Sequence, residues 1–171
     1  MRSAVQDAGL EYAFQELIEP WLDPAYRLAT SLLLDRDEAE DAVQEAAVKA
    51  WRGLARLRDR ERARSWFFAI VVNECRLARR RPWWKVVRVP SPPEAASGGA
   101  DEHVASLDLT AALRSLPAED RTALFLYYWL DLPLEEVAVA THASLGATKS
   151  RIYRAARRLR PGLALEEAID R

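Results

Sequence analysis

The stretch "KSRIYRAARRLR", residues 149–160, holds six basic residues and no acidic one. Lys149, Arg151, Arg154, Arg157 and Arg158 bring positive charge, and Ser150 and Tyr153 add hydroxyls. Cations at this density suit a polyanion, because each phosphate they neutralise releases condensed counterions. Arg, Lys and Ser can also hydrogen-bond to base edges in a groove of DNA. The same segment has a plainer reading as a solvated helix near the C-terminus, with its cations offsetting the helix dipole. Taken alone, the segment leaves both readings open.

A second group is acidic. Glu38, Asp41 and Glu45 are spaced i, i+3 and i+7, one face of a helix, with Gln44 beside them. The apolar residues Ala39, Val43, Ala46, Ala50 and Leu54 form a separate seam. Such an acidic face is either solvated or a docking surface for a basic partner. A third group mixes cations and rings. Arg56, Arg58, Arg60, Arg62 and Arg64 crowd a short connection, followed by Trp66, Phe67, Phe68 and Ile70, and then by Asn73, Arg76, Arg79 and Arg80. Cations beside flat rings suit a nucleic-acid strand whose bases have left the stack. Trp66, Phe67 and Ile70 at helical spacing equally suit a core.

Covalent chemistry finds little support. No nucleophile and base are paired, no glycine loop is shaped for phosphate, and the lone Cys75 and two distant histidines give no metal-ligand spacing. No cofactor and no metal are expected, and Cys75 reads as a small buried residue. With 25 basic against 26 acidic residues the net charge is −1, so the distribution of charge is informative and its sum is not. The longest apolar run, "WFFAIVV" at residues 66–72, falls far short of the roughly 20 residues that cross a bilayer, so no membrane insertion is expected. Asp7 and Glu11 stand where a secretory signal would be basic and then apolar, which with the single cysteine points to a soluble, cytoplasmic chain.

These groups need helices to position them. Apolar residues recur at helical spacing from Phe14 onward, and strand-like alternation is absent, so the chain reads as all-α. Residues 82–106 are rich in Pro, Gly and Ser and read as a flexible linker, dividing the chain into domains 1–81 and 107–171. "PWWKVV" at its start is apolar enough to dock on a neighbouring surface. After it come a helix from Leu107 to Leu116 and one from Ala118 to Leu130 with Pro117 in its first turn. The spacing then predicts helices Leu134–Thr141 and Leu145–Leu159 around a turn at "HAS", with Val137, Ala138, Leu145, Ile152 and Leu159 as the buried seam. That is a helix-turn-helix, whose second helix enters the major groove. His142 falls within that turn and reads as a turn residue.

Leu116 to Leu159 resembles region four of extracytoplasmic-function (ECF) sigma factors, on Leu116, Pro117, Arg121, Leu124, Leu126, Tyr128, Leu132, Glu135, Glu136, Ala138, Gly146, Lys149, Ser150, Arg151, Arg154, Ala155 and Leu159. It departs at Pro133, where the family has a capping Ser, and at Thr141-His142, where it has Leu-Gly. "DRDEAEDAVQEAAVKAWRGL" resembles the DAEDAVQEAFLRAW signature of ECF region two, with Ala47 in place of a bulkier residue. Ser65, Trp66, Ile70, Asn73, Cys75, Arg79 and Arg80 match the segment that follows it.

The resemblance implies that Glu38, Asp41, Gln44 and Glu45 face core RNA polymerase. It places Arg58, Arg62, Arg64, Asn73, Arg76, Arg79 and Arg80 at the −10 element of promoter DNA. Lys149, Ser150, Arg151, Tyr153, Arg154, Arg157 and Arg158 fall at the −35 element. Many members of the family are held inactive by an anti-sigma factor, so such a partner is expected here too. The competing reading is a stand-alone helix-turn-helix regulator, which needs neither the acidic helix nor the Arg-aromatic segment.

Overall fold

In a computed structural model the chain forms two compact units, Met1–Val89 and Pro90–Arg171. The structure describes residues 2–80 and 111–159, and every described secondary element is helical. The expected linker, its "PWWKVV" segment, Arg81 and the tail after Arg160 lie outside the described residues.

The N-terminal unit is built from α1 (Arg2–Leu17), a 3-10 turn (Glu19–Trp21), α2 (Leu22–Leu33), α3 (Arg36–Leu54) and α4 (Ala63–Arg80). Helix α2 stops where Leu34 turns left-handed, at φ 55, and its amide caps Thr30 O. Asp35 then caps α3, its Oδ1 accepting from the Glu38 amide at 2.9 Å. This satisfies one of the amides a helix start leaves orphaned.

The predicted seam of α3, Ala39, Val43, Ala46, Ala50 and Leu54, is buried throughout. Its small residues let α4 approach closely. Phe67, Phe68 and Val71 of α4 are fully buried, with Ile18, Leu28 and Leu33. Truncating either Phe to Ala would cost about 3–5 kcal/mol.

Trp66 and Ile70 are only half-buried, because the buried face of α4 is centred on Phe67, Val71 and Ala78 instead. Trp66 lies across Gly53: a Cβ added there would meet Trp66 Cζ2 at 2.9 Å. Gly53 is therefore what lets the indole lie on the end of α3.

In the C-terminal unit residues 111–115 are helical, followed by α5 (Ala118–Leu124), α6 (Leu134–Thr141) and α7 (Leu145–Leu159). Buried Arg121 donates Nη1 to Leu113 O at 3.2 Å and Arg114 O at 3.4 Å, satisfying carbonyls at the end of the preceding helical segment. Leu116 and Leu124 pack with Ala155, Ala156 and Leu159 of α7.

The helix expected from Ala118 to Leu130 is α-helical only to Leu124 and continues as a π-helical turn, Phe125–Trp129. The wider turn brings Leu126 inward and leaves Trp129 61% exposed, stacked on Phe125 at 5.8 Å. Pro117 is the N-cap of α5 rather than a first-turn residue, and Pro133 does the same for α6. Each has an extended ψ, and each lends its carbonyl to the turn that follows: Pro117 O to the Arg121 amide, and Pro133 O to those of Glu136 and Val137. Leu145 is 41% exposed and outside the seam, which runs instead through Thr148, Ile152, Ala155, Ala156 and Leu159. As the first residue of α7, Leu145 sits one turn too early to reach the core that Thr148 closes.

Candidate nucleic-acid and polymerase interfaces

Helices α6 and α7 have the bounds the spacing predicts, and the turn between them follows from His142, left-handed at φ 52 and ψ 43. Its amide and that of Ala143 close α6 on Val139 O and Ala138 O. The Ser144 hydroxyl then accepts from the Ala147 amide at 3.2 Å, starting α7.

With one face of α7 committed to the core, the cationic residues take the other. Ser150, Arg154 and Arg157 lie along its crest, Lys149 and Tyr153 to one side, Arg151 and Arg158 to the other; all but Arg151 are exposed. Arg151 lies back against α5, where its Nη2 meets Glu119 Oε2 at 2.8 Å and its side chain is 20% exposed. Arg154 reaches the next residue of α5, its Nη2 donating to Asp120 Oδ1 at 3.1 Å. That bond and the Asp120 charge hold the Arg154 guanidinium above its ordinary range, so it stays charged. Lys149, Ser150 and Tyr153 also line an open groove together with Asp131, Leu132, Pro133, Glu135 and Ile152.

On α3, Asp41, Gln44 and Glu45 are exposed, with Val48 and Arg52 continuing the outer face. Gln44 donates to Glu40 Oε1 at 3.1 Å. Glu38 does not join them in solvent, being 9% exposed at the foot of a groove between α3 and α4. Asp41, Glu45 and Lys49 line the same groove, with Glu74 on its α4 wall. Local periodicity pointed to the acidic residues of α3 alone. Glu74 was signalled only as the one carboxylate in an otherwise cationic α4. Among the described residues no cluster of His, Cys, Asp or Glu is placed to hold a metal ion.

The expected −10 residues divide between a loop and a helix face. Arg58 and Arg62 are exposed on the connection 55–62, and Arg62 Nε pairs with Asp59 Oδ2 at 3.3 Å. Arg64 sits over the Trp21 ring, 5.2 Å from its centroid. Asn73, Arg76 and Arg80, at i, i+3 and i+7, share the outer face of α4 with Trp66 and Leu77, whereas Arg79 lies to one side near the helix end. The Asn73 amide reaches Glu74 Oε1 at 3.5 Å. Two of the three groups are thus assembled on the N-terminal unit and one on the C-terminal unit. Among the described residues no helix is long and apolar enough to cross a membrane.

Known proteins carry the same two units. Residues 17–85 match the family model for sigma-70 region 2, and residues 106–159 that for sigma-70 region 4. RNA polymerase sigma factor SigV of Bacillus subtilis is 35% identical over 144 residues, spanning 83% of this chain and 86% of its own length. The ECF RNA polymerase sigma factor SigL of Mycobacterium tuberculosis is 33% identical over 150 residues, spanning 83% of this chain and 82% of its own.

Among solved structures, the sigma factor RpoE of Bartonella quintana, determined with the anti-sigma factor NepR, superposes with a TM-score of 0.75 at 28% identity. The match covers 90% of this chain and 98% of that one. CnrH, determined with the cytosolic domain of CnrY, shares the fold at a TM-score of 0.63 and 23% identity. The chain belongs to the extracytoplasmic-function family of RNA polymerase sigma factors, the transcription initiation subunits that bring core RNA polymerase to promoter DNA.

Proposed function

We propose that the three residue groups divide the work of promoter opening. Asp41, Gln44 and Glu45, with Glu38 at the foot of the same groove, engage a basic surface of core RNA polymerase. Arg58, Arg62 and Arg64 on and beside the loop before α4, with Asn73, Arg76, Arg79 and Arg80 along it, take up the −10 element. Lys149, Ser150, Arg151, Tyr153, Arg154, Arg157 and Arg158 engage the −35 element, and the segment around 82–106 links the two domains. The protein performs no covalent chemistry of its own: it positions the polymerase and stabilises separated DNA. It works in the cytoplasm and is held in check by an anti-sigma factor, as NepR binds the similar Bartonella sigma factor.

The observation that carries this reading is the sorting of charge within one short chain. An acidic helix face and an arginine-rich loop with an adjoining helix occupy the N-terminal unit, and a helix-turn-helix with a cationic crest occupies the other. Opposite charge on the two partners would set orientation and encounter rate. The test is size-exclusion chromatography of the purified chain with sigma-free core polymerase, beside an Asp41→Arg variant. Co-elution by the parent and its loss in a folded variant is the expected result. Equal co-elution of both would remove the acidic face from the interface.

A further inference from the structure

Arg154 stands on the crest of α7 with its side chain 56% exposed, yet its guanidinium is already held. Nη2 donates to Asp120 Oδ1 at 3.1 Å and Nε approaches Oδ2 at 3.5 Å, a side-on pair reaching 34 residues back along the chain. Asp120 is fixed, since its side chain is only 6% exposed. The neighbouring pair has the opposite character. Arg151 is 20% exposed and laid back, while its partner Glu119 is 61% exposed. Of the two arginines clasped by α5, one is packed away and one is presented.

The geometry of the presented one leaves a definite set of donors. A guanidinium carries five N–H groups, and the side-on pair with a carboxylate uses the Nε–H and one on Nη2. The end-on pair, one N–H from each Nη, stays available, and that pair fits O6 and N7 of a guanine in the major groove. A flexible arginine would have to be ordered as it bound, and would accept a phosphate as readily as a base. One held along its side by a buried carboxylate points its outer edge in a fixed direction, and part of its charge is cancelled toward the phosphates around it.

We infer that Asp120 is a positioning residue for sequence recognition: it holds Arg154 side-on so that the outer edge of the guanidinium meets a guanine of the −35 element, favouring discrimination over general affinity for DNA. This rests on α7 being the −35 reader.

The test uses the full chain assembled with core RNA polymerase and a DNA library randomised over the −35 region. Enrichment is scored base by base for the parent, Asp120→Asn, Arg154→Ala and the double variant. The parent should enrich a guanine at one position, and Asp120→Asn should reduce that preference by about tenfold while sparing the others. Release of Arg154 should also steepen the dependence of log affinity on log salt by about 0.9, one further phosphate contact. In the Arg154→Ala background the Asp120 change should do nothing more.

Arg154→Lys keeps the charge beside Asp120 but lacks the planar fork, and should flatten the same position in a chain whose buried carboxylate is still partnered. A guanine preference untouched by Asp120→Asn, or an even loss at every position together with a lowered melting temperature, would overturn the role of Asp120 alone. A parent holoenzyme that enriches no sequence at the −35 distance would overturn the reading of α7 itself.

Discussion

Lys49 Nζ lies 2.6 Å from Glu74 Oε2, an ion pair that bridges α3 and α4 across the acidic groove, the lysine 44% exposed and the glutamate 9%. The partners are unequal: the lysine has water to fall back on and the glutamate has little. Lys49→Ala should therefore destabilise the N-terminal unit by about 1–3 kcal/mol, chiefly by stranding the carboxylate. Adding Glu74→Gln to that variant should recover part of the loss. Thermal melts of the two singles and the double form the cycle, and strict additivity would show that the pair does not couple the helices.

His142 holds a left-handed conformation in an exposed turn. Left-handed backbone costs an L-residue roughly 1–2 kcal/mol, and glycine gives back part of that gain as chain entropy, about 0.5–1 kcal/mol. His142→Gly should stabilise the C-terminal unit by up to about 1 kcal/mol, and His142→Val, branched at Cβ, should destabilise it by about as much. Urea unfolding followed through this unit measures both, and a stabilising Val would refute the strain.

Burial pushes the Cys75 thiol up to about 12 from an ordinary 9.0, with the Glu74 charge adding to the rise and Arg79 and a backbone hydrogen bond opposing it. The folded chain thus holds this proton more tightly than the unfolded chain does. The resulting stability is whole below about pH 9 and drains away as pH climbs toward 12, by at most about 1.4 kcal/mol per unit. The stability advantage of the parent over Cys75→Ala should shrink across that window. Alkylation at pH 8 should track unfolding, because the thiolate is the reactive form; rapid labelling of the native chain would contradict the burial.

Arg157 is exposed on the crest of α7. If its task is phosphate contact, Arg157→Ala should weaken specific and random DNA alike and lower the salt slope by about 0.9, leaving base preferences unchanged. A changed preference at one base would make it a reader instead.

Much of this was legible in the chain because it depended on neighbours in sequence. The bounds of α6 and α7 and the buried stripe of α3 follow from spacing, and the left-handed turn at His142 from the Gly that the family pattern has at that position. What escaped depended on distant partners or on register. The pairs Arg151–Glu119 and Arg154–Asp120 join residues more than 30 apart, and no local pattern marks them. Glu38 matches its exposed neighbours in type and spacing, yet packing against α4 buries it. The π-turn at Phe125–Trp129 shifts every later side chain relative to an α-helix, a change that five consecutive apolar or aromatic residues disguise.

The arginine-rich connection 55–62 leaves α3 just beyond Gly53, against which Trp66 of α4 is seated, and re-enters α4 beside Arg64, which is spread over Trp21. Both ends of the loop are therefore moored to the helical body before any DNA arrives. A loop tethered in this way has few conformations to surrender on meeting a ligand, so binding there would carry a small entropic toll. If the loop takes up the −10 element as proposed, the costly step there is the unstacking of a base more than the ordering of the loop.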